Sequence, residues 1–481
     1  MFLLQLKYES LRLLRSPIAW LLFIFLAVCV GFGLQNGQYR AAEKQAAIEQ
    51  MLTVQQLDLE KQKMQADSVV RKLKTVGGWW RDPTNVVAVG GVWRGGRVTA
   101  VEPMPQSILA VGMSDLQNNA WRLTLMGKEP WGGSELENPD NLSFGAFDLS
   151  FVLIYLLPLL VIALSFNLVS GELEQGTLAL QQSQPIASGV LFFQKMFARF
   201  VLLGGLTIVI VLPGLILSGI SLDSTAVWQT LGVAVLYSLF WFLISLSINL
   251  QGGSSAQNAL LCIGAWLLFT LVAPALANTV AEKVHPVPSR AAFLNDMRAA
   301  ENYIESKKED LLDDFYKTYP NYTRKAEADK DWKDWYREDF YLQAFDKKIR
   351  DSIEQIYEFK ADRQAAFAER LTVFSPALSV HRQMTDLAGT SRNALKAIEP
   401  TLDEAQFHWS SWFLKKFDAD ESLSAADYDE FMKFPDRVQA SAPANGYWGL
   451  GWLLLQCMLA GAWAWWSGRR VSPRFSIDFL K

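Results

Sequence analysis

The sequence predicts a mainly α-helical, polytopic membrane protein with six transmembrane helices and a large extracytoplasmic α(+β) domain built from two inserts. Three observations carry this reading. Apolar runs alternate with strongly charged stretches, so the hydrophobic fraction of 51% and the charged fraction of 20% average over two unlike kinds of segment. The six apolar runs are each long enough to cross a bilayer, and none holds an Asp, Glu, Lys or Arg. Basic residues gather near both termini, Lys7, Arg12 and Arg15 at one and Arg469, Arg470, Arg474 and Lys481 at the other. By the positive-inside rule, both termini face the cytoplasm and the two long inserts face out. Long inserts translocate whatever their charge, so their many Lys and Arg residues do not conflict with this.

Taken in order, 1–16 reads as an amphipathic helix lying in the membrane interface. Gln5, Glu9 and Arg12 share one face and Leu3, Leu4, Leu11 and Leu14 the other. The first span is 17–34; a signal peptide is the alternative, but the apolar run continues past Cys29. Insert 35–148 opens with an Ala/Glu/Gln/Lys-rich helix over about 39–75, expected to stop at Gly77-Gly78. Val86–Val89 and 92–101 then read as short strands around glycine turns. Trp79, Trp80, Trp93, Trp121 and Trp131 supply either an aromatic core or a membrane-facing belt.

Spans follow at 149–169, 200–222, 226–250 and 259–280, with Pro213 and Pro274 inside the third and fifth. The second insert, 282–445, reads as charged helices over 293–319, 325–371 and 378–395, broken by Ser375-Pro376-Ala377. The last span is 446–468, and 469–481 is a basic tail.

The cytoplasmic stretch 170–199 organises the rest. Ser170 is placed to cap a helix with Glu172 and Glu174 in its first turn, Pro185 breaks it, and Ser188 is placed to cap the helix that runs on into the membrane. The plain reading is a capped loop between two spans. The residues also form a pattern: Glu172-Leu173-Glu174-Gln175-Gly176-Thr177-Leu178, then Ser183-Gln184-Pro185-Ile186, then Lys195. It resembles the signature of the type-2 ABC exporter permeases, membrane subunits of ATP-driven exporters, in a subgroup with large inserts after the first and fifth spans. The resemblance implies that 170–199 is a coupling helix and turn that docks on a cytoplasmic ABC ATPase. Glu172 and Glu174 would offer charge to it, Gly176 would allow close approach with Thr177 beside it, and Pro185 would fix the turn. It implies further that ATP and Mg bind the partner ATPase and no cofactor binds this chain. It also implies that a second permease copy or homologue completes a path across the bilayer.

Other chemistry is poorly represented. The phosphate-binding pattern G-x-x-x-x-G-K-(S/T) does not occur; Gly91–Val98 lacks its Lys and hydroxyl and reads as a glycine hairpin. His285, His381 and His408 are scattered, without H-E-x-x-H spacing, so no catalytic or metal site is expected. Cys29, Cys262 and Cys457 all lie in apolar runs, which leaves the inserts without disulfides. A net charge of -4 gives no case for nucleic acid. Spans free of ionisable groups point away from proton or sodium drive and toward an energy source outside the membrane. Asn167, Asn249, Asn278 and Gln456 are polar groups in or beside spans; Asn167, Asn249 and Asn278 either line a path or glue helices together. An envelope interaction module that transports nothing is the alternative function, and an integral membrane enzyme is disfavoured.

Overall fold

The structure, a computed structural model, describes residues 2–73, 77–91, 95–116, 118–131, 146–176, 188–439 and 447–477. Helix α1, Phe2–Leu14, precedes α2, Pro17–Val70, a single helix of 54 residues and roughly 80 Å. Ser16 caps α2 by accepting from the Ala19 amide, and Pro17 occupies its first turn, where a missing N–H costs nothing. The first span, read as 17–34, and the polar helix read over about 39–75 form one continuous helix. Nothing from Gln35 to Val70 is a strong helix breaker apart from Gly37, so the first span runs straight on into the polar helix.

Five helices among the described residues are long and apolar enough to cross a membrane: α2, α3 (Leu149–Glu174), α4 (Ser188–Leu217, with the apolar window from Gln194), α5 (Thr225–Asn249) and α6 (Ser255–Val284). The sixth expected span falls in the helix Trp448–Ile477. Five tryptophans and Gln456 lower its mean hydropathy, yet it packs along α5. The fully buried Tyr237 and Trp241 of α5 stand at the centre of the bundle.

Two of these helices widen locally. Pro158 in α3 and Pro274 in α6 each follow a π-helical segment, Val152–Leu156 and Leu268–Val272. Proline brings no N–H to the carbonyl before it, so that carbonyl needs another donor. The Tyr237 hydroxyl donates to the Ile154 carbonyl at 3.1 Å, and the Ser375 hydroxyl donates to that of Phe269 at 2.9 Å.

The second insert forms a helical hairpin, α7 (Arg290–Thr318) and α8 (Trp332–Leu371), then α9 (Pro376–Ala388) and α10 (Glu399–Asp418). The predicted break holds: Ser375 caps α9, with Pro376 in its first turn. The predicted helix over 378–395 is cut at Gly389, whose φ of +69° ends α9. Helix α9 is almost wholly buried against α5 and Trp448–Ile477.

A four-stranded sheet ties the inserts together in the order β3-β2-β1-β4. Strands β1 (Arg97–Glu102), β2 (Ala120–Leu123) and β3 (Lys128–Pro130) pair antiparallel, and β4 (Arg437–Gln439), from the second insert, pairs parallel to β1. A shared core draws Leu59 and Val87 from the first insert and Trp409, Phe413 and Phe431 from the second. Val86–Gly90 is a helical turn rather than a strand, because the Asn85 side chain accepts from the Val87 and Ala88 amides and starts it. Of the tryptophans, Trp79 joins this core, stacked 6.4 Å from Trp332, whereas Trp80 and Trp131 are exposed. Trp93 lies outside the described residues.

Candidate functional site

At the end of α3 the helix loosens into a turn over 166–169 and then forms one further turn, Ser170–Glu174. Gly176, at φ +69°, stops it with open space around the glycine. Ser170 does not cap this turn; its hydroxyl lies 2.9 Å from that of Ser255 at the start of α6.

The loosened turn frees backbone groups inside the bundle, and Asn249 meets them. Its Nδ2 donates to the Ser165 and Ser245 carbonyls at 3.2 and 2.9 Å. Its Oδ1 accepts from the Val169 amide and from Asn258 Nδ2, both at 3.3 Å. Asn249 therefore holds helices together. Asn167 is half-buried in the loosened turn itself, and Asn278 stands exposed on α6, so the three asparagines share no common surface. Replacing Asn249 with Leu strands the Val169 amide and leaves the Ser165 carbonyl with the Leu168 amide alone. We expect a loss of about 1–3 kcal/mol in thermal unfolding of the detergent-solubilised chain, against no change for Asn278→Leu.

Glu172 is buried and turned toward the protein. It forms an ion pair with Lys195 of α4 and stands 3.7 Å from Arg12 of α1. One turn further along α4, Arg199 faces Glu9 at 3.4 Å. Glu9, Glu172, Lys195 and Arg199 are all 6–7% exposed, and Arg12 closes the group from the rim. Two carboxylates thus face three cations where the N-terminal helix, the end of α3 and the base of α4 meet. Helix α1 keeps the expected division of its faces, but its polar face meets protein charges. Glu9 and Arg12 turn inward to the cluster, while Leu11 and Leu14 are exposed.

Glu174 makes the second tie. Its carboxylate accepts from the Ser255 amide at 2.8 Å and the Ser255 hydroxyl at 2.9 Å, an acid placed at the N-terminus of α6 where the helix dipole favours it. Ser254 and Gln257 complete a capping box on the same helix end. So Glu172 faces inward to α1 and α4, and Glu174 is bound to α6. Glu172 is buried, whereas Glu174 is exposed while bound to Ser255, together with Leu173, Gln175 and Gly176. Thr177 and Pro185 lie outside the described residues.

A family described as ABC-2 family transporter protein matches residues 6–392, from α1 past α9 and through every residue of this cluster. The chain belongs to that family. No curated protein and no solved structure matches it. An ABC-2 protein is the membrane component of a transporter and is not normally catalytic itself. Among the described residues, no three His, Cys, Asp or Glu side chains are grouped as metal ligands.

Sequence reasoning placed Glu172, Glu174 and Lys195 in one segment but missed Glu9, Arg12, Arg199 and Ser255. One signal was available. Lys195 and Arg199 sit one helical turn apart at the mouth of an apolar run, and two cations so placed require carboxylates from elsewhere. Drawing the span from 200 set both residues outside it, whereas they lie on the same continuous helix, Ser188–Leu217.

Proposed function

We propose that this ABC-2 chain is the permease subunit of an ATP-driven exporter. In this reading it lies in the cell inner membrane, with both termini cytoplasmic and the joined inserts outside. A separate cytoplasmic ABC ATPase binds ATP and Mg, and a second permease copy or homologue completes the assembly. The observation that supports this most is the wiring of the turn 170–176. It is tied by charge to α1 and α4 through Glu172, and by hydrogen bonds to α6 through Glu174. A push on that turn, delivered to the exposed Leu173–Gly176 edge and to Thr177 and Pro185, would move the feet of three spans together. In this reading the buried Glu172 positions the coupling turn from inside, and the exposed Glu174 ties it to α6 and offers charge to the ATPase.

The test is affinity purification in mild detergent, asking which ATPase and which second permease accompany the chain. Glu174→Lys places a cation at the N-terminus of α6 and removes two hydrogen bonds. The variant is expected to reach the membrane at normal levels but retain at most a tenth of the ATPase. Undiminished co-purification and transport would remove the turn from the coupling role. Transport by the purified complex in proteoliposomes separates an exporter from an envelope module that moves nothing.

A further inference from the structure

The inserts form a half-open cavity of about 330 Å³ where α2 leaves the bundle, at the small end of ligand cavities, which run ~300–1,000 Å³. Gly37, Arg40, Ala41 and Lys44 of α2 line it, along with the ends of β1 and β2 and the segment after α9. Arg40 lies six residues past Leu34, the predicted end of the first span, or ~9 Å along the helix. That is head-group depth.

The charges of the lining are unequally satisfied. Lys44 Nζ spends its donors on the Ser114 carbonyl and hydroxyl and on Asp115, at 2.9–3.0 Å. Arg40 pairs with the same Asp115 through Nη1 alone, and its other N–H groups have no partner among the described residues. Two cations therefore share one carboxylate. Glu102 is committed to Arg437, and Glu399 stands exposed. The side-chain amides of Asn118 and Asn119 also line the cavity without a protein partner among the described residues. The rest is largely apolar, with Trp121, Leu395, Ile398 and Leu402 prominent. A half-satisfied guanidinium with amide donors beside it, over an apolar wall, is complementary to an anion carrying a hydrocarbon tail.

We infer that this cavity binds an amphiphile with a single anionic head, the head on Arg40 and the tail against Trp121 and Leu402. The molecule reaches it either from the bilayer, as an anionic lipid, or from the aqueous side. The inference does not depend on coupling to an ATPase.

The experiment uses the full chain in phosphatidylcholine nanodiscs. In one arm, radiolabelled dodecyl phosphate is titrated by equilibrium dialysis. In the other, phosphatidylglycerol is mixed into the disc and bound lipid is counted by native mass spectrometry. Saturation at one molecule per chain in either arm is expected, and the arm that saturates identifies the source. Arg40→Gln leaves Lys44 to neutralise Asp115 and is expected to weaken binding at least tenfold. Ala41→Phe fills the cavity and is expected to abolish it. Arg71→Gln, which removes an exposed cation at the far end of the same helix, is expected to change nothing. No saturable binding in either arm, or undiminished binding by Arg40→Gln, overturns the proposal, and the second outcome does so even if Ala41→Phe fails to fold.

Discussion

Glu172→Ala is expected to unfasten the base of the bundle. The substitution leaves Lys195 buried at 7% exposure, with only the more distant Glu9, which Arg199 shares, to offset its charge. Breaking one side of a buried ion pair costs about 3–5 kcal/mol, because the surviving charge is left without compensation. At ~1.4 kcal/mol per tenfold, the detached state of the turn becomes at least about a hundredfold more populated. The effect is local, so it should appear first as faster hydrogen exchange over Ser170–Glu174 and in α1, and then as a lower unfolding temperature. Adding Lys195→Met to Glu172→Leu removes both charges and replaces them with packing. Such replacements of buried pairs are often neutral or stabilising. The double variant should therefore recover most of the lost stability. Its ATP-driven transport should stay low if charge, and not mere packing, makes the turn move with α1 and α4. A single variant as stable as the parent, or a double variant as loose as the single, would show that the cluster does not hold the turn.

Much of this architecture is written in the chain because the bilayer tolerates so few solutions. A charge-free apolar run of eighteen or more residues has to be a helix; 149–169 and 259–280 fall inside observed helices, and 226–250 passes the end of one by a single residue. The break at Ser375-Pro376-Ala377 was legible for a local reason, whereas Ser170, read as a cap, turns instead to Ser255. The misreadings came where tertiary partners decide. Val86–Val89 has the composition of a strand, but Asn85 and a shared core make it helical. Helix α1 was judged against water and lipid, whereas its polar face meets protein charges more than 150 residues away in sequence. Glu174 is the exposed acid the sequence suggests, but its tie to Ser255 exists only because α6 brings that residue to it. The cavity is invisible for the same reason: Arg40 and Leu402 are neighbours only once two inserts share a sheet.

The second large effect is expected from Gly37→Leu. Gly33 and Gly37 are four apart, on one face of α2, and both lie against backbone rather than side chains. A Cβ at Gly33 would stand 2.9 Å from the carbonyl carbon of Asp148, and one at Gly37 would overlap the Ile108 carbonyl oxygen. Small residues spaced this way let a helix come close to its neighbour. Here they seat α2 against the start of α3 and against the loop between the first two strands. Asp148 fixes the same junction, its carboxylate accepting from the Phe151 amide of α3 and the Val111 amide at 2.7 and 2.8 Å. Neither backbone can yield without breaking those bonds. A leucine at 37 therefore forces α2 outward and opens the junction between bundle and inserts. Overpacking a side chain costs ~1–3 kcal/mol; pressing against backbone should exceed that, so little folded Gly37→Leu protein is expected in the membrane. Gly31→Leu supplies the contrast, because a Cβ there meets nothing within 4 Å. Its yield and unfolding temperature should match the parent or rise slightly, since leucine is the better helix former. Equal damage from both variants would mean that the helix dislikes any bulk near its middle, and that the close approach at Gly37 is not what joins the membrane bundle to the domain beyond it.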